Sequence, residues 1–304
     1  MPAHNCASTV AESVESIING NFAAGDELII VDDGSTDETP RVLLKLKQKY
    51  PAITVITGKE NLGCPAARNI AYAAAQNPII FNLYADDVLV PGSVARLKSY
   101  MVAEEADMAG FAEYHYFQKS RRGKKEITHK WICRPGILTL SDFLTGDINP
   151  GPGGNYMFTK AIWQKVGGVW EYGKGMHEAW GFTLKCLAFG AKFAVMPNSF
   201  YYHRYGTNSL FMREAKKENE VSLMATKMIT PYLDLLDPRD AAYIRSEAGS
   251  KNWFKTLDRA PIRLKNAPVG KTGYKVIPPK ERLKRMALRM LRLCPPLYKH
   301  LFQK

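Results

Sequence analysis

The chain reads LIIVDDGSTD over residues 28–37, an apolar run that leads directly into an acidic turn containing glycine. Four consecutive apolar residues, 28–31, are typical of a strand that is buried on both faces of a parallel sheet. The polar turn then lies at the carboxyl end of that strand, and residues 40–50 carry apolar side chains at helical spacing. A strand, a turn and a helix in this order predict one unit of an α/β fold.

The same alternation extends to both sides of this unit. Short apolar runs predict strands at residues 53–56 and 79–83, and helical periodicity predicts helices at residues 8–18, 65–76 and 91–101. We therefore expect an α/β fold with a doubly wound, mostly parallel sheet and helices on both faces.

Beyond residue 108 the pattern changes to longer strands and more helices. The predicted strands are residues 109–117, 126–133, 192–196 and 200–203, and the predicted helices are residues 160–166, 178–189, 210–229, 239–257 and 280–293. The first two of these strands are joined by a short basic segment, which predicts a hairpin.

The composition is that of an ordinary folded protein, with 46% hydrophobic and 23% charged residues among 304. No apolar run reaches the roughly 18–20 residues that a membrane span needs. The first residues show neither the basic region nor the apolar stretch of a secretory signal. Five scattered cysteines without CxxC spacing argue against a disulfide scaffold or a cysteine zinc site. We therefore expect a cytoplasmic protein.

The positive charge is concentrated in the last third of the chain. Residues 1–209 carry a net charge of +1, whereas residues 210–304 carry +12. This change predicts a neutral domain at 1–209 and a basic helical C-terminal appendage at 210–304. Such a charge difference favours an anionic partner for the appendage.

Residues 280–293 read KERLKRMALRMLRL, with leucine, methionine and alanine on one helical face and basic residues on the others. This pattern predicts a helix in the segment 280–304 that lies on an anionic membrane, such as the inner face of the plasma membrane. The alternative is a helix packed on the protein with a solvated basic face. We expect no nucleic-acid partner, because the neutral part of the chain shows no basic patch beside an aromatic platform.

Two acidic pairs follow predicted strands, Asp32-Asp33 and Asp86-Asp87. Ligands of open α/β sheets bind at the carboxyl ends of the strands, so these pairs could bind a nucleotide and a divalent metal ion together. Each pair alone is better explained by a turn or a helix cap. Their matching positions on successive strands favour the nucleotide interpretation.

Three motifs together resemble the family 2 nucleotide-sugar glycosyltransferases with the GT-A fold. They are VDDGSTD at residues 31–37, NLGCPAARN at residues 61–69 and ADD at residues 85–87. PAHN at residues 2–5 resembles the loop after the first strand of that family. The resemblance covers residues 1–210. It implies inverting transfer of a sugar from a nucleoside diphosphate sugar, usually UDP-linked, with Mn²⁺ or Mg²⁺. The acceptor it implies is a glycan or a lipid-linked precursor of cell-surface polysaccharide.

The resemblance also assigns roles to individual residues. It places Asp33 on the base and Arg68 at the phosphates, with an ion pair to Asp32 or Asp33 as the alternative for Arg68. It divides ribose contact and metal coordination between Asp86 and Asp87. The remaining donor-binding residues that it implies are Pro2, Ala3, His4, Asn61 and Ala85.

The chain departs from the family pattern at several of these positions. Tyr84 stands where many members have the first aspartate of the metal motif, and Ala179 stands where the base aspartate is usual. Glu178 and His177 are then the proton acceptors nearby, and Glu178 is our predicted catalytic base, although an acidic residue in a first helical turn is also simply favoured by the helix dipole. Gly206 replaces a family histidine, for which His203 could substitute, although a lone histidine at the end of a strand is more often structural.

These departures leave two further functions open. One is a degenerate family member that binds a nucleotide-sugar or a partner protein without turnover. The other is a nucleotidyltransferase, which the lack of a glycine-rich first loop disfavours.

Family members begin with an apolar strand before the loop that residues 2–5 resemble. The present sequence starts at Met1 within that loop, so we expect the first strand to be missing and Met1 to be an internal methionine at its end. The coding sequence upstream should then encode about five apolar residues. Without them, the neighbouring strands would lack hydrogen-bond partners and favour aggregation.

Overall fold

The structure is a computed structural model, and it describes residues 1–120, 123–144, 154–171, 178–205, 220–257 and 262–265. One compact unit spans Met1–Lys265. The predicted helix at 280–293, and with it the whole of residues 266–304, lies outside the described residues, as do His177 and Gly206.

The first hundred residues alternate strands and helices as the sequence predicts. The strands are β1 (Pro2–Ala3), β2 (Leu28–Asp32), β3 (Ile53–Thr57) and β4 (Ile79–Asn82), and the helices are α1 (Val10–Ile18), α2 (Thr39–Lys49), α3 (Cys64–Ala74) and α4 (Ser93–Ala103). Strands β1, β2 and β3 form a parallel sheet in that order. All five residues of β2 are buried, which is why this segment reads as a continuous apolar run.

The second part of the unit builds a larger sheet. Its strands are β5 (Met108–Lys119), β6 (Lys125–Ile132), β7 (Gly136–Leu138), β8 (Tyr156–Thr159) and β9 (Phe193–Arg204), with helices α5 (Leu140–Leu144), α6 (Lys160–Lys165) and α7 (Glu178–Ala188). The order is β4-β8-β5-β9-β7, and β6 pairs with β5. Strands β4, β5 and β9 run in one direction and the other three run against them. With β1–β3, most described strands are parallel within their sheets, which confirms the predicted fold class.

Strand β9 replaces the two strands predicted at 192–196 and 200–203. Pro197-Asn198-Ser199 reads as a turn, and Asn198 does adopt a positive φ of 50°. However, the Ser199 hydroxyl accepts a hydrogen bond from the Ala112 amide and donates one to the Met196 carbonyl. These bonds absorb the irregularity as a bulge, and the pairing of β5 with β9 continues on both sides of it.

Residues 220–265 pack on this body. They form helix α8 (Glu220–Ile229), a 3₁₀ turn at Thr230–Leu235, helices α9 (Pro238–Arg245) and α10 (Glu247–Asn252), and a second 3₁₀ turn at Trp253–Thr256. The single helix predicted at 239–257 is divided, because Ser246 caps α10 through its hydroxyl. Trp253 is fully buried and donates from Nε1 to the Thr226 hydroxyl at 2.7 Å. The change in charge near residue 209 therefore does not coincide with the end of the compact unit.

The start of the chain differs from the expectation in one respect. Pro2 and Ala3 were expected in a loop, but they form the short strand β1 and align with Val31 and Asp32 of β2. The pairing is possible because the Val31 amide donates to the Met1 carbonyl and the Asp33 amide donates to the Ala3 carbonyl. The loop that follows at His4 thus begins at the carboxyl end of the sheet, beside the turn after β2.

No helix in the described part of the chain is both long enough and apolar enough to cross a membrane.

Candidate active site

The loop after β2 is joined to the loop before α3 by Asp33. This side chain is buried, and its two carboxylate oxygens accept hydrogen bonds from the Leu62 and Gly63 amides, each at 2.8 Å. The His4 ring contacts both loops, with Nδ1 2.9 Å from the Asp33 carbonyl and Nε2 2.9 Å from the Asn61 amide nitrogen. The structure thus brings together three of the predicted donor-binding residues. Pro2 and Ala3 lie behind them in β1.

Asp32 has a local structural role. Its side chain is buried, and its Oδ1 accepts a hydrogen bond from the Ser35 amide at 3.1 Å, which shapes the turn after β2. The role of Asp32 is therefore explained by the turn alone, without a contact to a nucleotide.

Asp87 is the centre of a buried hydrogen-bond network. Its Oδ2 accepts from Asn155 Nδ2 at 2.8 Å and lies 3.0 Å from His203 Nδ1, and its Oδ1 accepts from the Arg204 amide at 3.0 Å. Burial opposes protonation of His203, but the charge and hydrogen bond of Asp87 raise the pKa of the imidazole above its ordinary value. Asp87 therefore ties the end of β4 to β8 and β9.

Asp86 is half-buried, and its carboxylate makes no hydrogen bond to another side chain of the described residues. Arg204 contacts only its backbone, donating from Nε to the Asp86 carbonyl at 2.8 Å. Burial and the charge of Asp87 raise the pKa of Asp86 from 3.8 to about 6. Ala85, just before it, is buried.

The acidic pair fits a divalent cation through one carboxylate. Asp86 has oxygens available and is destabilised by the nearby negative charge, which a cation would offset. Asp87 already accepts three hydrogen bonds and supports its neighbours instead. Within the described ranges, no three histidine, cysteine, aspartate or glutamate residues gather as a metal site. Most ligands of a bound ion would thus come from the diphosphate and from water.

The pKa of Asp86 leads to a prediction for stability. A carboxyl whose pKa is higher in the folded state stabilises the fold below its unfolded pKa, and this contribution is lost as the pH rises through about 6. In EDTA, Asp86→Asn is therefore expected to raise the melting temperature at pH 7.5 and to raise it less at pH 4.5. Asp234→Asn, at a fully exposed carboxylate, is the control. A gain that does not depend on pH would contradict the proposed repulsion between Asp86 and Asp87.

A second buried cluster joins Arg68, Tyr84 and Glu178. The Tyr84 hydroxyl donates to Glu178 Oε1 at 2.6 Å, and Arg68 Nη1 lies 3.3 Å from the same oxygen. The Arg68 guanidinium also lies 4.6 Å from the centre of the Tyr84 ring. The carboxylate partner of Arg68 is thus Glu178, so the alternative of an ion pair with Asp32 or Asp33 is wrong.

Arg68 is fully buried, and its three nitrogens find no hydrogen-bond acceptor of good geometry among the described residues. A guanidinium has five N–H donors, and burying them unsatisfied is costly. Arg68 lies on α3, directly after the loop that Asp33 holds. The predicted contact of Arg68 with phosphate remains a prediction.

Glu178 begins helix α7 and is itself buried. Ala179, at the position of the usual base, is also buried and belongs to the hydrophobic core. Tyr84 connects the cluster to the acidic pair along the chain, since Asp86 follows two residues later. The two departures from the family pattern, at Tyr84 and around Glu178, are therefore in direct contact.

Two further residues of this region were not predicted from the sequence. Asn155 holds both Asp87 and the Tyr84 amide. Asn155 follows a glycine-rich stretch that predicts a loop, and this stretch gives no indication of the strand β8 that begins at the next residue. Glu12, which pairs with Arg204 at 2.6 Å, lies on the exposed side of α1 and shows no signal in the sequence.

Known proteins resemble part of the chain. The 97-residue match to the succinoglycan biosynthesis protein ExoU of Rhizobium meliloti is 38% identical and covers 32% of this chain and 28% of the relative. The 107-residue match to the poly(ribitol-phosphate) beta-glucosyltransferase of Bacillus spizizenii is 35% identical and covers 34% of this chain and 17% of the relative. The chain thus spans less than a third of the length of these relatives.

Solved structures share the fold over most of the chain. The structure of S. aureus TarS 1-349 in complex with UDP-GlcNAc has a TM-score of 0.63 at 16% identity, and the match covers 83% of this chain and 71% of that protein. The mannosyltransferase PcManGT from Pyrobaculum calidifontis, in complex with GDP-Man and Mn²⁺, has a TM-score of 0.56 at 15% identity, with 76% and 62% covered. Identities this low support the GT-A fold alone.

The family assignment comes from the sequence. The model for glycosyl transferase family 2 matches residues 1–167, more than half of the chain. This region contains β1 to β4, the loop held by Asp33 and the acidic pair Asp86-Asp87. The chain therefore belongs to glycosyl transferase family 2.

Proposed function

We propose that this protein is an inverting glycosyltransferase that moves a sugar from a nucleoside diphosphate sugar, most simply a UDP-sugar, to a glycan or lipid-linked acceptor in cell-surface polysaccharide synthesis. The observation that carries the proposal is the arrangement at the carboxyl end of the strands. The loop held by Asp33 lies at the end of β2, and the available carboxylate of Asp86 follows the end of β4. The buried carboxylate of Glu178 contacts Tyr84, which lies two residues before Asp86. The names of the relatives, which concern succinoglycan and ribitol-phosphate polymers, support the acceptor class.

The nucleoside would bind at His4, Asp33 and Asn61. Asp33 already accepts two backbone hydrogen bonds, and a carboxylate has about four acceptor positions, so it retains capacity for an N–H of the base. The peptide amides that hold Asp33 also fix its orientation before the donor arrives, which lowers the entropy cost of binding.

Asp86 would hold the divalent cation. When bound, the ion stabilises the negative charge that develops on the leaving diphosphate. Asp87 would keep Asp86 in place through its bonds to β8 and β9. Arg68 would provide positive charge near the phosphates, as the family resemblance implies.

Glu178 would act as the general base. Tyr84 and Arg68 both contact Oε1, so Oε2 is the oxygen that would take the proton from the acceptor hydroxyl. The acceptor oxygen forms a bond to the anomeric carbon as the bond from that carbon to the diphosphate breaks on the opposite face. The configuration is inverted, and the proton remains on Glu178.

Incubation of the protein with UDP-glucose, UDP-galactose or UDP-N-acetylglucosamine tests this proposal. We expect calorimetric binding of at least one of them, and slow release of UDP that depends on Mn²⁺ or Mg²⁺ and is abolished by EDTA. No binding of any nucleotide-sugar would contradict the proposal.

The second candidate function is binding without turnover. It is favoured by Ala179 at the usual base position and by the burial of Glu178 against Arg68. Binding of a UDP-sugar at full occupancy, with no UDP release at any metal concentration, would support this candidate over the enzyme.

Cytoplasmic location and contact with an anionic membrane through residues 280–304 also remain proposals, based on the basic amphipathic sequence. The double substitution of Arg285 and Arg289 by glutamate is expected to reduce sedimentation with vesicles containing phosphatidylglycerol. High salt should reduce wild-type binding in the same way. Lys47→Glu, on the exposed side of α2, is the control. Equal binding of the wild type and the double variant would contradict the membrane proposal.

A further inference from the structure

Aromatic side chains form a row across three strands on one face of the larger sheet. Tyr116 of β5 lies opposite His129 of β6 and opposite His203 of β9. Its ring is 4.1 Å from the His129 ring at an interplanar angle of 15°, and 4.7 Å from the His203 ring. We call this row, together with Trp131 and Tyr205, the aromatic shelf.

Trp131 and Tyr205 extend the row toward solvent. The Trp131 ring is 6.4 Å from the Tyr116 ring and only 27° from parallel with it, and the Tyr205 ring is 5.5 Å from the His129 ring. Both side chains are well exposed, Trp131 at 40% and Tyr205 at 38% of their surfaces. Both rings flank Tyr116, and a contiguous exposed apolar patch often marks a ligand-binding site.

The shelf is continuous with the acidic pair of the candidate active site. His203 belongs to the shelf, and its Nδ1 lies 3.0 Å from Asp87 Oδ2. Two ring contacts, through His203 and Tyr116, thus separate the Asp87 carboxylate from the exposed ring of Trp131. The shelf extends from the proposed reaction centre to the edge of the sheet.

We propose that the aromatic shelf is the acceptor subsite, where a pyranose ring of an acceptor glycan packs on Trp131 while the reacting end of the glycan points toward Asp86 and Glu178. This inference rests on the proposed glycosyltransferase function and specifies its acceptor as a saccharide of more than one unit. Trp131 would be the main contact and Tyr205 a second wall.

The chemistry of the shelf suits a sugar. A pyranose ring has a face of C–H groups with partial positive charge, and the face of an aromatic ring carries partial negative charge. Imidazole and phenol groups beside the rings can exchange hydrogen bonds with sugar hydroxyls. Apolar surfaces with a few placed polar groups are the usual composition of small-molecule sites.

The edge position of β6 could also suggest a protein partner that adds a strand. Lys125 and Lys130 lie on this strand, and lysines on an edge strand are a common feature that prevents such pairing. The opposite face of β6 carries Lys130 and Ile132 rather than aromatic residues, so the aromatic residues of this strand lie only on the face that leads to Asp87.

The test compares three variants of β6 in the full-length chain. Trp131→Ala removes the ring, Trp131→Phe keeps an aromatic face, and Ile132→Ala changes the adjacent residue, which is 65% exposed on the other face. Each protein, with UDP and Mn²⁺, is applied to an array of bacterial surface oligosaccharides. Dissociation constants for the glycan retained best are then measured by calorimetry. UDP-sugar binding is measured on the same preparations.

We expect the wild type to retain at least one pyranose-containing oligosaccharide, and Trp131→Ala to bind it at least about tenfold more weakly, whereas the other two variants stay within about threefold. UDP-sugar binding should be the same in all four proteins. Absence of glycan binding by the wild type, or equal effects of Trp131→Ala and Ile132→Ala, would overturn the inference. The two proposals fail in different measurements. Absence of UDP-sugar binding by the wild type would count against the proposed function, whereas the glycan results test only the acceptor subsite.

Discussion

Replacing Glu178 by glutamine is expected to reduce sugar transfer by at least about 100-fold while donor binding is retained, because general-base catalysis contributes roughly 10²–10⁴ in rate. Glutamine has nearly the same shape as glutamate, and its carbonyl oxygen can still accept the hydrogen bond from Tyr84. It has no lone pair basic enough to remove the proton of the acceptor hydroxyl. The measurement is the rate of UDP release with acceptor, beside calorimetric binding of the donor.

The same substitution affects stability. Arg68 and Glu178 are both buried, and removing one partner of a buried ion pair costs about 3–5 kcal/mol because the other charge is left uncompensated. The assays therefore need to be made well below the melting temperature of the variant, with thermal unfolding recorded in parallel. A variant that is folded and binds the donor but fails to transfer separates the chemical role of Glu178 from its structural role.

Glu60→Gln is the matched control, since Glu60 is an exposed glutamate close to the loop that Asp33 holds. It should leave both transfer and stability unchanged. Transfer at the wild-type rate by Glu178→Gln would exclude Glu178 as the base and move the role to another group, such as His177.

Replacing Gly34 by alanine is the second large effect that we expect. Gly34 has a φ of +64°, and a Cβ atom there would lie 2.6 Å from the Glu60 carbonyl carbon and 2.9 Å from the Asn61 nitrogen. Both atoms belong to the backbone, so no side chain can rotate away. Left-handed strain and overpacking together are expected to lower the free energy of unfolding by about 2–4 kcal/mol.

Donor affinity should decrease with it, because the backbone that must move belongs to the loop whose amides bind Asp33. Gly25→Ala provides the control. Gly25 also has a positive φ, +88°, but a Cβ there meets no atom within 4 Å. Its free energy of unfolding should decrease by only about 1 kcal/mol, the cost of a left-handed backbone conformation for alanine, and it should bind the donor normally. Equal losses of donor affinity in Gly34→Ala and Gly25→Ala would mean that the close approach of the two loops has no role in binding.

Much of the first half of the fold could be predicted from local patterns. The buried strand β2 and the helices around it have strong periodicity, and their bounds agree with the predictions to within a few residues. Strands β7 and β8 were missed, since three or four residues beside glycine give no clear period. The bulge in β9 was predicted as a break between two strands, because proline and asparagine interrupt a strand in the same way as they end one.

Some contacts of the candidate site could also be predicted from the sequence, and others could not. The meeting of Asp33, His4 and Asn61 follows from strand ends and loop motifs, since parallel strands place their carboxyl ends at one edge. The burial of Asp87 does not, because it depends on Asn155 and His203, which lie 68 and 116 residues away along the chain. The contact of Arg68 with Glu178 does not follow from them either, since the ion-pair alternative for Arg68 named Asp32 or Asp33.

The sequence by itself thus determined the family, the α/β class and the positions of the acidic turns, because these depend on local apolar periods and on motifs of a few residues. Only the tertiary structure decided that Tyr84 contacts Glu178, that Asp87 is enclosed while Asp86 is available, and that aromatic rings of three strands align beside them. Such contacts depend on the register between strands and helices that are distant in the chain. A shift by one residue would turn each side chain to the other face of the sheet, and no local pattern records that register.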